Sequence, residues 1–264
     1  MPLTMTRQVS WRNGVLPRNT VKWYLNDQYW SDGYSFLFPD HVWPDAKLEI
    51  DFILNKCDLH GNTCLDLCCG IGRHAIELAK CGLRVQAIDS SKYLLRKARR
   101  NARGLKINFL RRDLEKSLGH QRFDLVINLN SSFGQFSCRR RNIQFLVNMG
   151  RAVSKGGYLV INCLTKEIVT RGFQSIGRYK LRNGYVSYVR KKSRDCSDIQ
   201  GIWTFMRRRQ KSAYVIRYHL FNSTWFVDTL TRLGFTEIHR YGSFDGREYS
   251  CLADELVIVC KKSN

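Results

Sequence analysis

The sequence has no long uninterrupted apolar run, and residues 1–10 lack the apolar stretch of a signal peptide. A membrane-spanning helix needs about 18 consecutive apolar residues, so neither a membrane protein nor a cleaved secretory leader is expected. Proline is scarce, with only 4 in 264 residues, and no segment is of low complexity. Because 44% of the residues are apolar and 25% are charged, the composition is globular and excludes collagen, coiled coil and wholesale disorder.

The cysteines include no C-x-x-C spacing, although there are 10 of them, and we expect no metal site. Several lie within apolar stretches, where a thiol packs as a small hydrophobic group. Without a secretory leader, we expect free thiols and a cytoplasmic location. The ten are Cys57, Cys64, Cys68, Cys69, Cys81, Cys138, Cys163, Cys196, Cys251 and Cys260.

Acidic residues are few, since 22 Asp and Glu stand against 44 Lys and Arg and leave a formal net charge of +22. Such a charge bears on partners and solubility rather than on the fold. It is compatible with a solvated surface or with a face that binds nucleic acid, an anionic membrane or an acidic partner. The basic residues form short clusters: Arg99–Arg100, Arg111–Arg112, Arg139–Arg141, Lys191–Lys192 and Arg207–Arg209.

Apolar patterning predicts an α/β core with an insertion. Strands alternate with helices over residues 47–165, which is typical of a parallel sheet with helices on both faces. Residues 166–222 carry short strand-like pieces separated by turns, such as Tyr185–Val189, and predict an antiparallel cap. The α/β pattern resumes over residues 223–264 and completes the core.

The first 46 residues are rich in aromatic side chains, from Trp11 to Trp43, and are interrupted by Pro39 and Pro44. We expect this segment to be irregular. Its rings must be buried against something, so it either wraps the core or forms a lid over a pocket; the two interpretations are compatible.

The stretch Leu65–His74 is predicted to form a strand, a turn and the start of a helix, with Asp66 in the strand and Gly70 and Gly72 in the turn. Glycines let a ligand approach the backbone, and the helix N-terminus offers unpaired N–H groups. Asp89 ends the second strand, where a carboxylate can accept hydrogen bonds from both hydroxyls of a ribose. Ligands of doubly wound sheets bind at these strand ends. The pattern predicts a cofactor that contains a nucleoside.

Two cofactors compete for this pattern. Gly70, Gly72 and Ala75 satisfy the G-x-G-x-x-G/A dinucleotide pattern, so NAD is one candidate. Asp66 would repel a pyrophosphate, whereas it suits the ammonium group of S-adenosylmethionine. Asp113 follows the third strand, where an acid with a backbone N–H can bind an adenine. These two details favour S-adenosylmethionine.

Residues 48–261 resemble a class I S-adenosylmethionine-dependent methyltransferase. Leu65–His74 is similar to the first motif of that family, and Phe123–Gly134 to the fourth-strand motif of its bacterial small-molecule group, which includes amino-sugar N-methyltransferases. Leu233–Phe235 with Tyr241–Gly246 resembles its C-terminal helix, strand and loop. The resemblance implies a Rossmann-like, doubly wound α/β fold with a seven-stranded sheet, one strand antiparallel, beside the antiparallel β insert.

The resemblance also implies the cofactor contacts. Residues 66–72 would lie beside the methionine moiety, Asp89 at the ribose, residues 113–114 at the adenine and residues 130–132 near the sulfonium. Cys68 departs from the family, which has its first glycine there. The implied cofactor-binding set is Asp66, Cys68, Gly70, Gly72, Arg73, Asp89, Ser90, Asp113, Leu114 and Asn130.

The implied activity is transfer of a methyl group to nitrogen or oxygen of a small-molecule acceptor. RNA methylation is the main alternative, because of the +22 charge, although the Asn-Pro-Pro-Tyr tetrapeptide of many base N-methylating enzymes is absent. An NAD-dependent oxidoreductase is a more distant alternative. A homodimer through the insert is a further prediction.

No residue is clearly the catalytic base. His219, in a strand of the insert, is the candidate, whereas His74 fits the start of the cofactor helix. Tyr24, Trp30 and Tyr34 are predicted to close over the methyl donor.

Overall fold

The computed structural model describes residues 22–264 except 117, 120, 137, 208, 209 and 251. Trp11 of the N-terminal segment, two arginines of the last basic cluster and Cys251 therefore lie outside the described residues. The cysteines within the described part are free thiols. In the same part of the chain, no helix is long and apolar enough to cross a membrane.

The described strands divide into two sheets. They are β1 (Thr63–Leu67), β2 (Arg84–Asp89), β3 (Ile107–Arg111), β4 (Phe123–Asn128), β5 (Val153–Cys163), β6 (Ile176–Leu181), β7 (Gly184–Lys192), β8 (Asp198–Arg207), β9 (Gln210–His219), β10 (Phe235–Tyr241) and β11 (Leu256–Lys262). The central sheet has seven strands in the order β10-β11-β5-β4-β1-β2-β3. Strands β1 to β5 pair in parallel and β11 is antiparallel to both neighbours. The predicted doubly wound sheet with one antiparallel strand is confirmed.

Helices cover the two faces of this sheet. They are α1 (Asp27–Leu37), α2 (Val42–Lys56), α3 (Arg73–Lys80), α4 (Lys92–Asn101), α5 (Arg139–Ala152), α6 (Lys166–Gly172) and α7 (Ser223–Arg232), with a 3-10 turn over Trp23–Leu25. Two buried clusters, one on each face, fill the space between helices and strands. The strands are nearly continuous apolar runs because both of their faces are covered.

The prediction of an irregular segment up to residue 46 was wrong for α1 and the start of α2. Asn26 caps α1, since its side-chain oxygen accepts a hydrogen bond from the N–H of Gln28 at 3.0 Å. Tyr29 and Gly33 form the buried side of this helix. Pro44 lies in the first turn of α2, where no intrahelical donor is lost.

The insert is a four-stranded antiparallel sheet in the order β6-β7-β8-β9. Its inner face packs against the N-terminal segment. Phe205 of this face contacts Tyr29 with ring centroids 5.7 Å apart, and Tyr218 contacts Trp23 at 5.9 Å. The N-terminal aromatic residues therefore lie between the insert and the end of the central sheet.

Candidate active site

A cavity opens at the carboxyl ends of β1, β2 and β4, where the strand order reverses and ligands of this architecture bind. The 3-10 turn and α1 close it on one side, and the insert contributes Tyr218. Eight residues of the implied cofactor set line it: Asp66, Cys68, Gly70, Arg73, Asp89, Ser90, Leu114 and Asn130. The sequence motifs thus meet around one space.

Asp89 is held rigidly at the end of β2. Its Oδ2 accepts a hydrogen bond from the N–H of Gly70 at 2.9 Å, and its Oδ1 accepts one from the N–H of Ser91 at 2.8 Å. The Ser91 hydroxyl in turn caps α4 by accepting from the N–H of Leu94. Because both oxygens are oriented by backbone groups, the remaining lone pairs of Asp89 have a fixed direction at the cavity wall.

Asp66 is fully enclosed, and its Oδ2 has no hydrogen-bond partner among the described residues. Desolvation, followed by the nearby charge of Asp89, raises the pKa of Asp66 to about 7, while the guanidinium of Arg73 acts in the opposite direction. A buried carboxylate oxygen without a donor at a cavity wall is a site for a donor from a ligand.

The loop after β1 has a glycine-like backbone conformation even at a position where this chain has no glycine. Cys68, which stands where the resembled family has its first glycine, has φ 61° and so adopts the left-handed conformation that favours glycine. Gly70 lines the cavity. Gly72 does not line it. It packs against α4 and β3 instead, since a Cβ there would lie 3.1 Å from the Cβ of Ala98 and 3.2 Å from the ring of Phe109. Gly72 therefore permits helix–sheet packing rather than a cofactor contact.

The two residues implied at the adenine are separated. Leu114 lines the cavity, but Asp113 does not. The carboxylate of Asp113 is held by Lys22 at 3.2 Å and by the N–H of Glu115 at 3.1 Å. Lys22 also contacts Glu115 at 2.5 Å, and the hydroxyl of Tyr24 donates to Glu115 at 2.6 Å. Asp113 thus belongs to a network that fastens the N-terminal segment to the end of β3.

Asn130 lies in a strained turn after β4. Asn130 and Ser131 have φ values of 58° and 55°, uncommon for residues other than glycine. Asn162 of β5 holds the turn, since its Oδ1 accepts from the N–H of Asn130 at 3.0 Å and its carbonyl accepts from the N–H of Ser131 at 3.2 Å. Strain of this kind is concentrated at functional sites.

Helix α2 contributes a charged group that sequence patterning missed. Glu49 contacts the Nε2 of His74 and lies 3.6 Å from the Nη2 of Arg73. The Nη1 of Arg73 donates to the carbonyl of Val42 at 3.0 Å. Burial lowers the pKa of His74. Both Arg73 and His74 line the cavity, so α2 orients the cationic side of the site.

His219 lies outside the cavity, which argues against its predicted role as a base. Alternation along β9 places Tyr218 on the inner face and His219 on the other. The Nδ1 of His219 is 2.5 Å from Asp198, and its backbone N–H donates to the carbonyl of Gly134 at 2.7 Å. The residue therefore joins the insert to the core.

Aromatic rings form a large part of the cavity lining, called the aromatic wall below. Tyr24 and Trp30, predicted to close over the donor, line the cavity, whereas Tyr34 does not. Trp23 and Tyr29, also in the aromatic-rich segment predicted to wrap the core or form a lid, line the cavity as well, and so do Phe136 and Tyr218, which the sequence did not single out. These rings give the cavity an apolar lining in addition to its two carboxylates, Asp66 and Asp89.

Comparison with known proteins finds methyltransferases that resemble this chain in sequence and in fold. Residues 64–157 match the family described as "Methyltransferase domain". Over 227 residues the chain is 24% identical to the cypemycin N-terminal methyltransferase of a Streptomyces species, covering 83% of this chain and 90% of that protein. The solved structure of an S-adenosylmethionine-dependent methyltransferase from Clostridium acetobutylicum superimposes with a TM-score of 0.76 at 14% identity, over 89% of this chain and 99% of the other.

Residues 64–157 carry a methyltransferase domain. A second relative, the glycine/sarcosine N-methyltransferase of Parasynechococcus marenigrum, is 32% identical over 127 residues. That match spans 44% of this chain and 43% of the relative, less than half of the length of either. Because the matched family and the relatives are methyltransferases, the NAD-dependent alternative is dropped.

The cavity of the methyltransferase domain fits the cofactor in its charge distribution. Asp66 offers the unpartnered acceptor that an ammonium group needs, and Arg73 offers a cation for a carboxylate. Asp89 presents oriented acceptors for ribose hydroxyls. Leu114 adds an apolar contact for a base.

The raised pKa of Asp66 predicts that cofactor affinity depends on pH. Since an ammonium ligand prefers the carboxylate, binding to cofactor-free protein must release the Asp66 proton below pH 7. Affinity for S-adenosylhomocysteine is therefore expected to rise with pH up to about 7 and then level off. Calorimetry from pH 5.5 to pH 8.5, in buffers of different ionisation enthalpy, measures both the affinity and the proton release.

The control for this prediction is Asp66→Asn, which keeps the shape of the side chain and removes its titration. Its affinity is expected to be lower than that of the wild type above pH 7, because the carboxylate charge is lost. Its pH profile is expected to be flatter, because residue 66 no longer titrates, and binding should persist because Asp89 and Arg73 are still present. An identical profile in the wild type and the variant would refute the assignment to Asp66.

Proposed function

We propose that the protein transfers the methyl group of S-adenosylmethionine to an amine nitrogen of a small-molecule acceptor. The observation that carries the proposal is the convergence of Asp66, Asp89 and Asn130, from adjoining strand ends, in one cavity that aromatic rings also line. The carboxylates fit the nucleoside and amino-acid parts of the cofactor. The aromatic wall provides the space for an acceptor.

The proposed roles follow from the contacts of each residue. Asp89 would hold the ribose, Leu114 would flank the adenine, and Asp66 and Arg73 would orient the amino-acid end. The cofactor supplies an activated sulfonium methyl for in-line transfer. The segment from Trp23 to Trp30 excludes water from the acceptor side, which favours a close alignment of donor and acceptor.

Two features support nitrogen as the acceptor atom. One relative is named as an N-methyltransferase of glycine and sarcosine, and the other as an N-terminal methyltransferase of cypemycin. In this chain, Trp23 and Trp30 line the cavity, and their rings would stabilise the cationic amine that such a transfer forms. An amine that arrives neutral needs no base, whereas burial raises the pKa of Tyr218 to about 12, so this phenol does not supply one.

Methyl-labelled cofactor tests the proposal with matched acceptor pairs: glycine against glycolate, glucosamine against glucose, and a tripeptide with a free against an acetylated N-terminus. Label is expected in the amine of a pair and not in its partner. Label only in hydroxyl acceptors would contradict the choice of nitrogen. Label in an RNA fraction would support RNA methylation instead, which the net charge of +22 motivates.

We also propose a cytoplasmic location and a homodimer through the insert. Cell fractionation tests the first. Light scattering after size-exclusion chromatography tests the second, and a monomer at micromolar concentration would refute it.

A further inference from the structure

The outer insert face, defined as the side of β6–β9 turned away from the core, carries an apolar row. The register pairs Ile176 with Val189, Val189 with Ile202, and Ile202 with Val215. Alternate residues share one face of a sheet. These four are members of none of the core clusters of the described residues, whereas Val186 of the opposite face is. Ile202, in the middle of the row, is already buried by its neighbours and Val215 is half-buried, so the exposed part of the row is its Ile176–Val189 end. Ile176 is 70% exposed and Val189 is 44% exposed.

Cations surround this row. Strand alternation places the following basic residues on the outer insert face: Arg178, Lys180, Lys191, Lys211 and Arg217. Among the described residues of the four strands, the carboxylate on this face is that of Asp198, which lies at the end of the sheet and is 2.5 Å from His219. The face is therefore aliphatic in the middle and strongly positive around it.

Charge decides which partner fits this surface. A second copy docked on this same face about a two-fold axis would place these cations against each other, and like charges disfavour such an interface. The homodimer proposed through the insert would therefore use an edge of its sheet and leave this face free. Single-stranded nucleic acid binds by stacking its bases on aromatic rings. Tyr185 is the one Phe, Tyr or Trp among the described residues of the face, and the guanidinium of Arg178 lies 4.4 Å from its ring centroid.

We propose that the outer insert face docks an acidic, amphipathic segment of a partner protein. Aliphatic side chains of that segment would cover the row from Ile176 to Val215, and its carboxylates would pair with the surrounding lysines and arginines. The cavity stays accessible in this arrangement, because Tyr218 lines it from the opposite face of the sheet. The inference goes beyond the proposed methyl transfer and does not depend on it.

Fluorescence anisotropy with a labelled synthetic helix tests the proposal. One peptide carries Leu on one side and Glu on the other, and its partner carries Lys in place of Glu. The Glu peptide is expected to bind the full chain with an affinity that falls as salt is added, and the Lys peptide is expected not to bind. Arg178→Glu combined with Lys180→Glu is expected to weaken binding at least ~10-fold, and Val189→Asp to weaken it comparably.

Arg103→Glu combined with Lys106→Glu is the matched control, since both residues are exposed in the loop between α4 and β3 and the change in net charge is the same. This variant should bind the Glu peptide as the wild type does. Circular dichroism and affinity for S-adenosylhomocysteine verify the fold of every variant. Absent binding, equal loss in the control, or tighter binding of oligouridylate or phosphatidylserine vesicles through the same residues would overturn the proposal.

Discussion

Replacement of Asp89 by Ala is expected to lower the affinity for S-adenosylhomocysteine by about 3 kcal/mol, or ~150-fold. The variant loses the acceptors proposed for two ribose hydroxyls. It also leaves the N–H of Gly70 without the carboxylate oxygen that now lies 2.9 Å away, so the loop after β1 loses an anchor. Calorimetry at pH 8, where Asp66 is ionised in the wild type, measures the effect.

Asp124→Ala is the matched control for this prediction. Asp124 also holds a backbone N–H, that of Thr63 at 2.9 Å, but it does so at the opposite end of β1. Its replacement should reduce the free energy of unfolding without a change in cofactor affinity. Asp89→Asn keeps one acceptor oxygen and should give an intermediate affinity. Unaltered affinity in a folded Asp89→Ala variant would refute the ribose role.

The sheet and half of the site could be predicted because their signals are local. A buried parallel strand is a short apolar run, and a turn with Gly70 and Gly72 marks the start of the following helix. Parallel strands place their carboxyl ends at one edge, so Asp66 and Asp89 had to be neighbours. The backbone conformation of Cys68 follows the same logic, since the turn requires a positive φ whichever residue occupies it.

The other half of the site depends on packing between distant segments. Glu49 reaches Arg73 and His74 only because α2 lies against α3. On β9, the choice between Tyr218 and His219 as the cavity residue depends on which face of the insert meets the core. A one-residue change of parity reverses that choice, and both faces of β9 mix aliphatic with polar or aromatic side chains, so alternation along the strand does not decide it.

Gly134→Ala is the prediction with the largest expected effect on stability. Gly134 has φ 96°, which an alanine adopts only with strain, and a Cβ there would overlap the carbonyl oxygen of His219. Strain and overlap together are expected to cost about 3 kcal/mol of unfolding free energy, and the melting temperature should fall by roughly 6–12 °C. Differential scanning calorimetry of the cofactor-free protein measures both.

Gly82→Ala separates the two causes. Gly82 has φ 88°, but no atom of the described residues lies within 4 Å of the Cβ that alanine would add, so this variant carries the strain alone. It should lower the melting temperature by only about 2–4 °C. Equal losses in the two variants would show that the contact between Gly134 and His219 is not tight. A larger loss at Gly134, with weaker methyl transfer, would mean that this contact sets the position of Tyr218, since moving the end of β9 moves the cavity wall.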